Sequence, residues 1–310
     1  MRTSGSDTER TIDHWSENLA GSEAFSPKVY WLAIPEVQIR HQSKATQGKA
    51  NNWVDYFLES YFGSRIPVER MASIGCGTGT LERHLAHLNA FSRCDAFDIS
   101  PAAIDVAQQL AQKENIESIN YEVIDINDFE WPSRAYDAVW FNGSLHHIER
   151  LEDTCSQLVK SLKQDGYIFL NEYIGPSRFD FTDRQRQVIK AAFTLIPESM
   201  RKSFIPNYPH AILQSAPIPD PEGVRKTDPS EAVRSAEIME ILQQYFDIVE
   251  YNEMGGTILQ FLLSGIAGNF QSADLNSMQA LNMLFTIEDT LIEIGDIQSD
   301  FACIAAKLKQ

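Results

Sequence analysis

Arg70-Met-Ala-Ser-Ile-Gly-Cys-Gly-Thr-Gly-Thr80 decides the fold of this chain. Met71, Ala72 and Ile74 make a short apolar run that reads as a buried strand. The run breaks into Gly75-x-Gly77-x-Gly79, and a helix then starts at Thr80 or Leu81, with Leu81, Leu85 and Leu88 on one face of a 3.6-residue period. Strand, glycine turn and helix are the first half of a nucleotide-binding βαβ unit. Glycine suits the turn because it accepts positive φ and carries no Cβ to hold a ligand off the backbone. The helix start adds free N–H groups and the positive end of a helix dipole.

The spacing narrows the ligand. A dinucleotide fingerprint runs G-x-G-x-x-G. Here the third glycine comes one residue early, and Thr80 stands where that fingerprint wants glycine. Cys94-Asp-Ala-Phe-Asp-Ile-Ser100 reads as the next strand and ends on Asp98, where an acidic side chain can hold both hydroxyls of a ribose. Ser73-Ile-Gly-Cys-Gly-Thr-Gly79 followed by Phe97-Asp-Ile-Ser-Pro101 resembles the class I S-adenosylmethionine-dependent methyltransferases. The resemblance implies a glycine loop packed on the methionine part of S-adenosylmethionine and an acid on its ribose. Those roles fall on Gly75, Gly77, Gly79 and Asp98, with Ile99 beside them.

Ser100-Pro101 is a helix start, Ser as N-cap and Pro at the first position, with Ile104, Ala107, Leu110 and Ala111 inward. Residues 119–124 read as a third strand. In the family resembled, the acid just past this strand takes the adenine amino group and its neighbour packs on the ring, which implies Asp125 and Ile126. Tyr136 to Phe141 is a continuous apolar run, as expected of a strand covered on both faces. It ends at Asn142-Gly-Ser-Leu-His-His-Ile148, which puts Asn142 at the cofactor edge and His146 and His147 at the active-site edge. A histidine can take a proton from a substrate hydroxyl. The same pair can instead cap the next helix, and both readings stand. Leu151, Cys155, Leu158, Val159 and Leu162 form the stripe of that helix, with Gly166 expected in its C-cap region. Residues 167–170 are the fifth strand, and Glu172 follows it as a second candidate acid or base or a bonded loop carboxylate.

Between Thr11 and Phe62 the chain is rich in large aromatics, read as packing and as a helical cap over the cleft, with Tyr30, Trp31 and His41 as the candidates to face it. Met1 to about Arg10 is expected to be frayed. After Phe179, a helix over 183–196 precedes a stretch holding seven of the thirteen prolines, Pro197 to Pro229. So long an irregular insertion is usually a lid or binding loop. Arg178, Arg184, Arg186, Arg201 and Lys202 make it the least acidic neighbourhood, suited either to steering an anionic substrate or simply to solvent. A helix over 235–245, a strand over 246–251, a Gly255-Gly256 turn, a helix carrying Met278 to Ile294 and a strand over 301–307 close the chain. Asn171-Glu-Tyr-Ile-Gly-Pro-Ser-Arg-Phe179, with Tyr30-Trp-Leu-Ala-Ile-Pro35, is similar to a subgroup of bacterial methyltransferases associated with cell-surface sugar or secondary-metabolite assembly.

The 310 residues carry a formal net charge of −17, which argues against a nucleic-acid partner. The Asx-Pro-Pro-aromatic turn of adenine-amino methyltransferases and the Pro-Cys of cytosine-C5 enzymes are both missing after the fourth strand. Four scattered cysteines give no zinc or disulfide pattern and fit a reducing cytoplasm. The start has no signal-peptide core, and the longest apolar stretch, Ile258 to Ala267, is too short to span a bilayer. No metal cluster is visible, although strand-end acids could hold Mg²⁺ together with substrate hydroxyls.

The expectation is an α/β, Rossmann-like, doubly wound seven-stranded sheet, mostly parallel with an antiparallel last strand. Residues 1–65 form a helical cap, and 66–310 a methyltransferase domain with a lid over about 176–234. The expected function is methyl transfer to the hydroxyl or amine of a small molecule, with His146, His147 and Glu172 as candidate bases, no membrane partner and a homodimer left open. Other readings remain: an enzyme or partner protein that holds S-adenosylmethionine without transferring methyl, or a nicotinamide-dependent oxidoreductase.

Overall fold

The computed structural model describes residues 6–18 and 26–309. Seven strands, β1 (Val68–Ile74), β2 (Phe91–Asp98), β3 (Ile119–Val123), β4 (Tyr136–Asn142), β5 (Leu162–Tyr173), β6 (Phe246–Gly255) and β7 (Phe301–Leu308), form one sheet in the order β3-β2-β1-β4-β5-β7-β6. β1 to β5 pair in parallel, and β7 runs antiparallel to both of its neighbours. Strand order reverses between β1 and β4, so the crevice beyond their carboxyl ends is where a fold of this kind takes its ligand.

Side chains alternate across the sheet. Val139 and Phe141 join a core that includes Leu151, Cys155 and Leu158 of α6 (Leu151–Ser161) and Ile241 and Leu242 of α9 (Ile238–Tyr245). Ala138 and Trp140 turn to the other face, toward α3 (Trp53–Phe57) and α4 (Thr80–His87). On that face α5 (Pro101–Lys113) packs Ile104 and Ala107 on β2 and β3. Ser100 caps α5, its hydroxyl accepting from the Ala103 N–H at 3.2 Å.

Above the strand ends lies a helical layer with its own apolar core. It draws Trp31 and Ile34 from the segment leading into α2 (Pro35–Ala45), Val37 from α2 itself, and Ile189 and Phe193 from α7 (Asp183–Thr194). It also takes Leu262 and Leu263 from α10 (Leu259–Leu263) and Leu281 and Leu284 from α11 (Leu275–Glu293). The 45-residue connection between β6 and β7 (residues 256–300) is thus part of the roof, a role its helical period did not announce. A short helix, α8 (Pro221–Thr227), precedes the return of the chain to the strand ends.

Two local expectations are corrected. Ordered structure starts before Arg10: α1 (Asp7–Asn18) is capped reciprocally, the Glu9 N–H donating to Ser6 Oγ at 3.2 Å and the Ser6 N–H to Glu9 Oε2 at 2.8 Å. Met1 to Gly5 lie outside the described residues. Gly166 is not a helix cap, because α6 ends at Ser161 and buried Leu162 already pairs with Tyr136. Between Leu162 and Tyr167 the strand bulges, and a Cβ on Gly166 would stand 3.0 Å from the Tyr136 carbonyl oxygen.

Candidate functional site

A cavity of about 650 Å³ opens at the strand ends, between the sheet and the helical layer. Its floor includes the glycine turn. Gly77 has φ +53° and no described atom within 4 Å of where its Cβ would point, so its backbone is bare. Gly75 lies against Ser144, whose hydroxyl donates to the Ile74 carbonyl at 2.6 Å and ties the turn to the loop after β4. Gly79 is a different case. It has φ +76° and caps α4, but the place of its missing Cβ is filled by the Tyr121 hydroxyl. Gly75 and Gly77 line the cavity, whereas Gly79 serves the packing of turn on sheet.

Asp98, Ile99, Asp125, Ile126 and Asn142 all line the cavity, so the structure gathers them with the glycine turn. The Gly77 N–H donates to Asp98 Oδ2 at 2.8 Å and the Ser100 N–H to Oδ1 at 2.9 Å, while burial pushes the carboxyl up. Asp125 Oδ1 accepts the Asn127 N–H at 3.0 Å, which leaves Oδ2 for a ligand. Asn142 Oδ1 accepts from Asn171 Nδ2 at 2.9 Å. Helix α1 covers this half: Thr11 and Trp15 line the cavity, and Ser16 Oγ bonds Ser100 Oγ at 3.1 Å.

Past β4 and β5 the cavity is lined by His146, His147, Glu231, Tyr173 and Arg178. Glu172 stands behind them with its side chain fully buried. Its Oε2 accepts the Ser144 and Leu145 N–H groups at 3.0 and 2.7 Å; its Oε1 accepts the Tyr173 N–H at 2.9 Å and His146 Nδ1. Both oxygens of Glu172 are thus committed to the His146 loop and its own strand end. Burial opposes a charge on His146, but Glu172, then Glu231 and Asp228, hold its imidazolium up to about 9. His146 is therefore a charged link between carboxylates at neutral pH. His147 goes the other way: burial, then the charges of His146 and His14, keep it well below the usual histidine range, hence neutral. It stacks edge-on with Trp15 of α1, ring centroids 5.2 Å apart.

Glu231 was not among the expected residues. Burial raises its carboxyl, with His146 opposing, and its Oε1 is 3.6 Å from His146 Nε2. It follows Pro229-Ser230 at the end of the proline-rich insertion, a stretch with no period to mark its return to the site. Glu82 was missed as well. It sits in the first turn of α4 beside the Leu81 stripe, accepts a hydrogen bond from Ser73, and is fully buried; burial lifts its carboxyl to about 7.

Tyr30, Trp31 and His41 do line the cavity. Burial, then Arg40, lowers His41 to about 4, so it is neutral. The basic residues of the insertion are not gathered there. Arg184 pairs with Asp296 at 2.6 Å, Arg186 with Asp180 at 3.4 Å, and Arg201 lies over the Phe193 ring. Arg178 reaches the cavity, its Nη1 donating to the Glu231 carbonyl at 2.9 Å.

Comparison with known proteins agrees with this geometry. Residues 72–168 match a family described as a methyltransferase domain. A malonyl-[acyl-carrier protein] O-methyltransferase of Acetivibrio thermocellus is 30% identical over 131 residues, 42% of this chain and 44% of that one. The chain spans between 28% and 44% of the length of three curated relatives it matches. Among solved structures, geranyl diphosphate C-methyltransferase from Streptomyces coelicolor A3(2) superimposes with TM-score 0.55 at 12% identity, covering 99% of this chain and 100% of that one. The [4+2]-cyclase SpnF superimposes with TM-score 0.54 at 15% identity, over 100% and 98% of the two chains. Residues 72–168, which hold the glycine turn, Asp98, Asp125 and the histidine pair, are thus similar to a methyltransferase domain. No helix among the described residues is long and apolar enough to cross a membrane.

Proposed function

We propose that this protein transfers the methyl group of S-adenosylmethionine to a hydroxyl or amine of a small molecule of the sugar or secondary-metabolite type. The observation that carries the reading is one cavity with two differently lined halves. Beyond β1, β2 and β3 it offers a bare glycine turn and two acids, Asp98 and Asp125. Beyond β4 and β5 it offers His147, Glu231 and Arg178 under a roof of Tyr30, Trp31 and Phe179.

In-line displacement at a sulfonium methyl needs the acceptor held against an already activated donor. Orientation alone supplies up to about 7–11 kcal/mol in well-aligned systems. A base is required only if the acceptor enters protonated. This reading takes neutral His147 and the Glu231 carboxylate, which line the cavity, as the candidates for that, with Glu172 and His146 fixing their loop. Four free cysteines, three of them buried, support a reducing cytoplasmic setting.

Calorimetry with S-adenosylmethionine, S-adenosylhomocysteine and nicotinamide dinucleotides tests the cofactor half. Labelled-methyl transfer to a panel of hydroxyl and amine acceptors tests the reaction. Binding of the sulfonium compound without transfer to any acceptor would favour a non-methylating use of the same fold, which a cyclase also has. Binding of a nicotinamide dinucleotide in its place would overturn the reading.

A further inference from the structure

We propose that His146, His147 and Glu231 form a three-ligand site for one divalent transition-metal ion at the acceptor end of the cavity. One ligand atom from each of the three lies within 4.8 Å of the other two. His146 Nε2 and Glu231 Oε1 are 3.6 Å apart. Two donors bound to one ion at about 2.1 Å and a tetrahedral angle stand about 3.4 Å apart, so this pair is already at ligand spacing.

The second observation is the support behind the rings. His146 Nδ1 meets Glu172, a carboxylate that can only accept, so Nδ1 keeps its hydrogen and Nε2 is the atom on which a metal ion would replace the imidazolium's second proton. His147 Nδ1 lies 3.0 Å from Ser230 Oγ, whose own hydrogen goes to Asp228 Oδ1 at 2.8 Å. The serine therefore accepts from Nδ1–H, and Nε2 of neutral His147 is the lone-pair atom. Each imidazole is thus fixed in tautomer and orientation by an outer oxygen. Metal-bound histidines are held in this way, and the outer partner raises their basicity. Glu172 is itself locked by three backbone N–H groups, from Ser144, Leu145 and Tyr173.

Charge points the same way. Glu172, Glu231 and Asp228 face the two rings, and Asp228 Oδ2 is buried, 3.8 Å from His147 Nδ1, with no hydrogen-bond partner among the described residues. Arg178 and the His146 ring are the opposing cations, but Arg178 spends Nη1 on the Asp228 and Glu231 carbonyl oxygens. A divalent ion would balance carboxylates that the protein's own cations leave in excess.

Two imidazoles and one carboxylate suit zinc, cobalt, iron, nickel or manganese better than calcium or magnesium, which prefer all-oxygen shells. Three protein ligands leave coordination positions open toward the cavity, as at catalytic rather than structural sites. If the methyl-transfer reading holds, an acceptor oxygen bound there loses its proton more readily, with His147 and Glu231 then acting through the ion and not as free bases; the site itself does not rest on that reading.

The test uses the full chain without a histidine tag, stripped with chelator and titrated with Co²⁺ alone. The expected result is one equivalent bound, with visible absorption distinct from aqueous cobalt. Glu231→Gln and His147→Ala should each weaken binding at least tenfold, and Glu172→Gln should weaken it about 10–100-fold through the His146 ring. Melting curves establish that each variant is folded, and Glu231→Gln, which keeps shape, serves if His147→Ala does not fold. A cobalt spectrum identical to the aqueous ion, or equal affinity in intact protein and Glu231→Gln, would overturn the site. Calorimetry with S-adenosylhomocysteine on the intact chain is run alongside, so a failed metal site and a failed cofactor reading give different patterns.

Discussion

Asp98 joins the proposed cofactor half of the cavity to loop geometry in one side chain. Each of its oxygens already takes one backbone N–H, from Gly77 and from Ser100, and keeps a second lone pair for a ribose hydroxyl. Asp98→Ala is expected to weaken S-adenosylmethionine and S-adenosylhomocysteine binding by about 1–3 kcal/mol, the range for lost hydrogen bonds to a charged group. Calorimetry on the folded variant checks it, and unchanged affinity would remove Asp98 from the site. Glu82 gives a test at the same scale through pH. Its carboxyl titrates near 4.5 in the unfolded chain and at about 7 in the fold, because burial disfavours the charge and its Oε2 has no hydrogen-bond partner among the described residues. Between those values the native state holds a proton that the unfolded state has lost. This contribution to stability is therefore full below pH 4.5, falls as pH rises to 7, and stays lost above, by about 3 kcal/mol in all. Glu82→Gln has no such proton to lose. Relative to the parent, it should gain about 2–3 kcal/mol of stability between pH 5 and pH 8 in denaturant titrations. A stability difference that does not change with pH would mean the parent carboxyl is not held neutral.

Ser100 couples two elements. It is fully buried, accepts the Ala103 N–H as N-cap of α5, and bonds Ser16 of α1. Losing an N-cap typically costs about 1 kcal/mol. Ser100→Ala should lower stability by that amount, and it should also speed hydrogen exchange in α1, which it no longer ties down. Slower or unchanged exchange in α1 would show that the roof over the cofactor half is held by Trp15 and Thr11 without the serine. This scale also separates what could be read in the sequence from what could not. Strands β1 to β5, helices α4 and α5, and the placing of Asp98, Asp125 and the histidine pair beyond strand ends follow from local period and from glycine and proline punctuation. The role of Gly166 did not, because a glycine after a helical stripe looks the same whether it ends the helix or lets two backbones approach. Glu231 was hidden because a proline-rich insertion has no period, and only the folded chain shows where it returns to the sheet. Glu82 was hidden because a carboxylate in a helix's first turn ordinarily faces water. The charge state of His146 depends on carboxylates 26 and 85 residues away, at Glu172 and Glu231, which no motif near Leu145 encodes.

Across the whole molecule, the acceptor roof is assembled from three separate stretches: the segment before α2, the insertion after β5, and the connection between β6 and β7. They share one apolar core, in which Ile189, Leu262, Leu263, Leu281 and Leu284 are fully buried. That core joins the sheet through aromatic contacts at the ends of β5 and β7. Phe301 lies 5.5 Å from Trp31 and 5.3 Å from Tyr173, and Tyr173 lies 5.0 Å from Phe179, centroid to centroid. Roof and sheet are thus expected to fold as one cooperative unit, unlike a lid hinged on a finished domain. Phe193, 1% exposed in α7, is far along the chain from the glycine turn and tests this. Phe193→Ala removes a fully packed ring, which costs about 3–5 kcal/mol in protein cores. If the unit is cooperative, the variant shows one transition at lower temperature, and S-adenosylhomocysteine binding is lost with the far-UV signal. If the roof is an independent lid, the variant melts in two steps and retains S-adenosylhomocysteine binding after the first, because Gly77, Asp98 and Asp125 lie at or just past the ends of β1, β2 and β3. Following ellipticity and S-adenosylhomocysteine affinity across one thermal ramp distinguishes the two, and the two-step result would make the helical layer a separate folding unit.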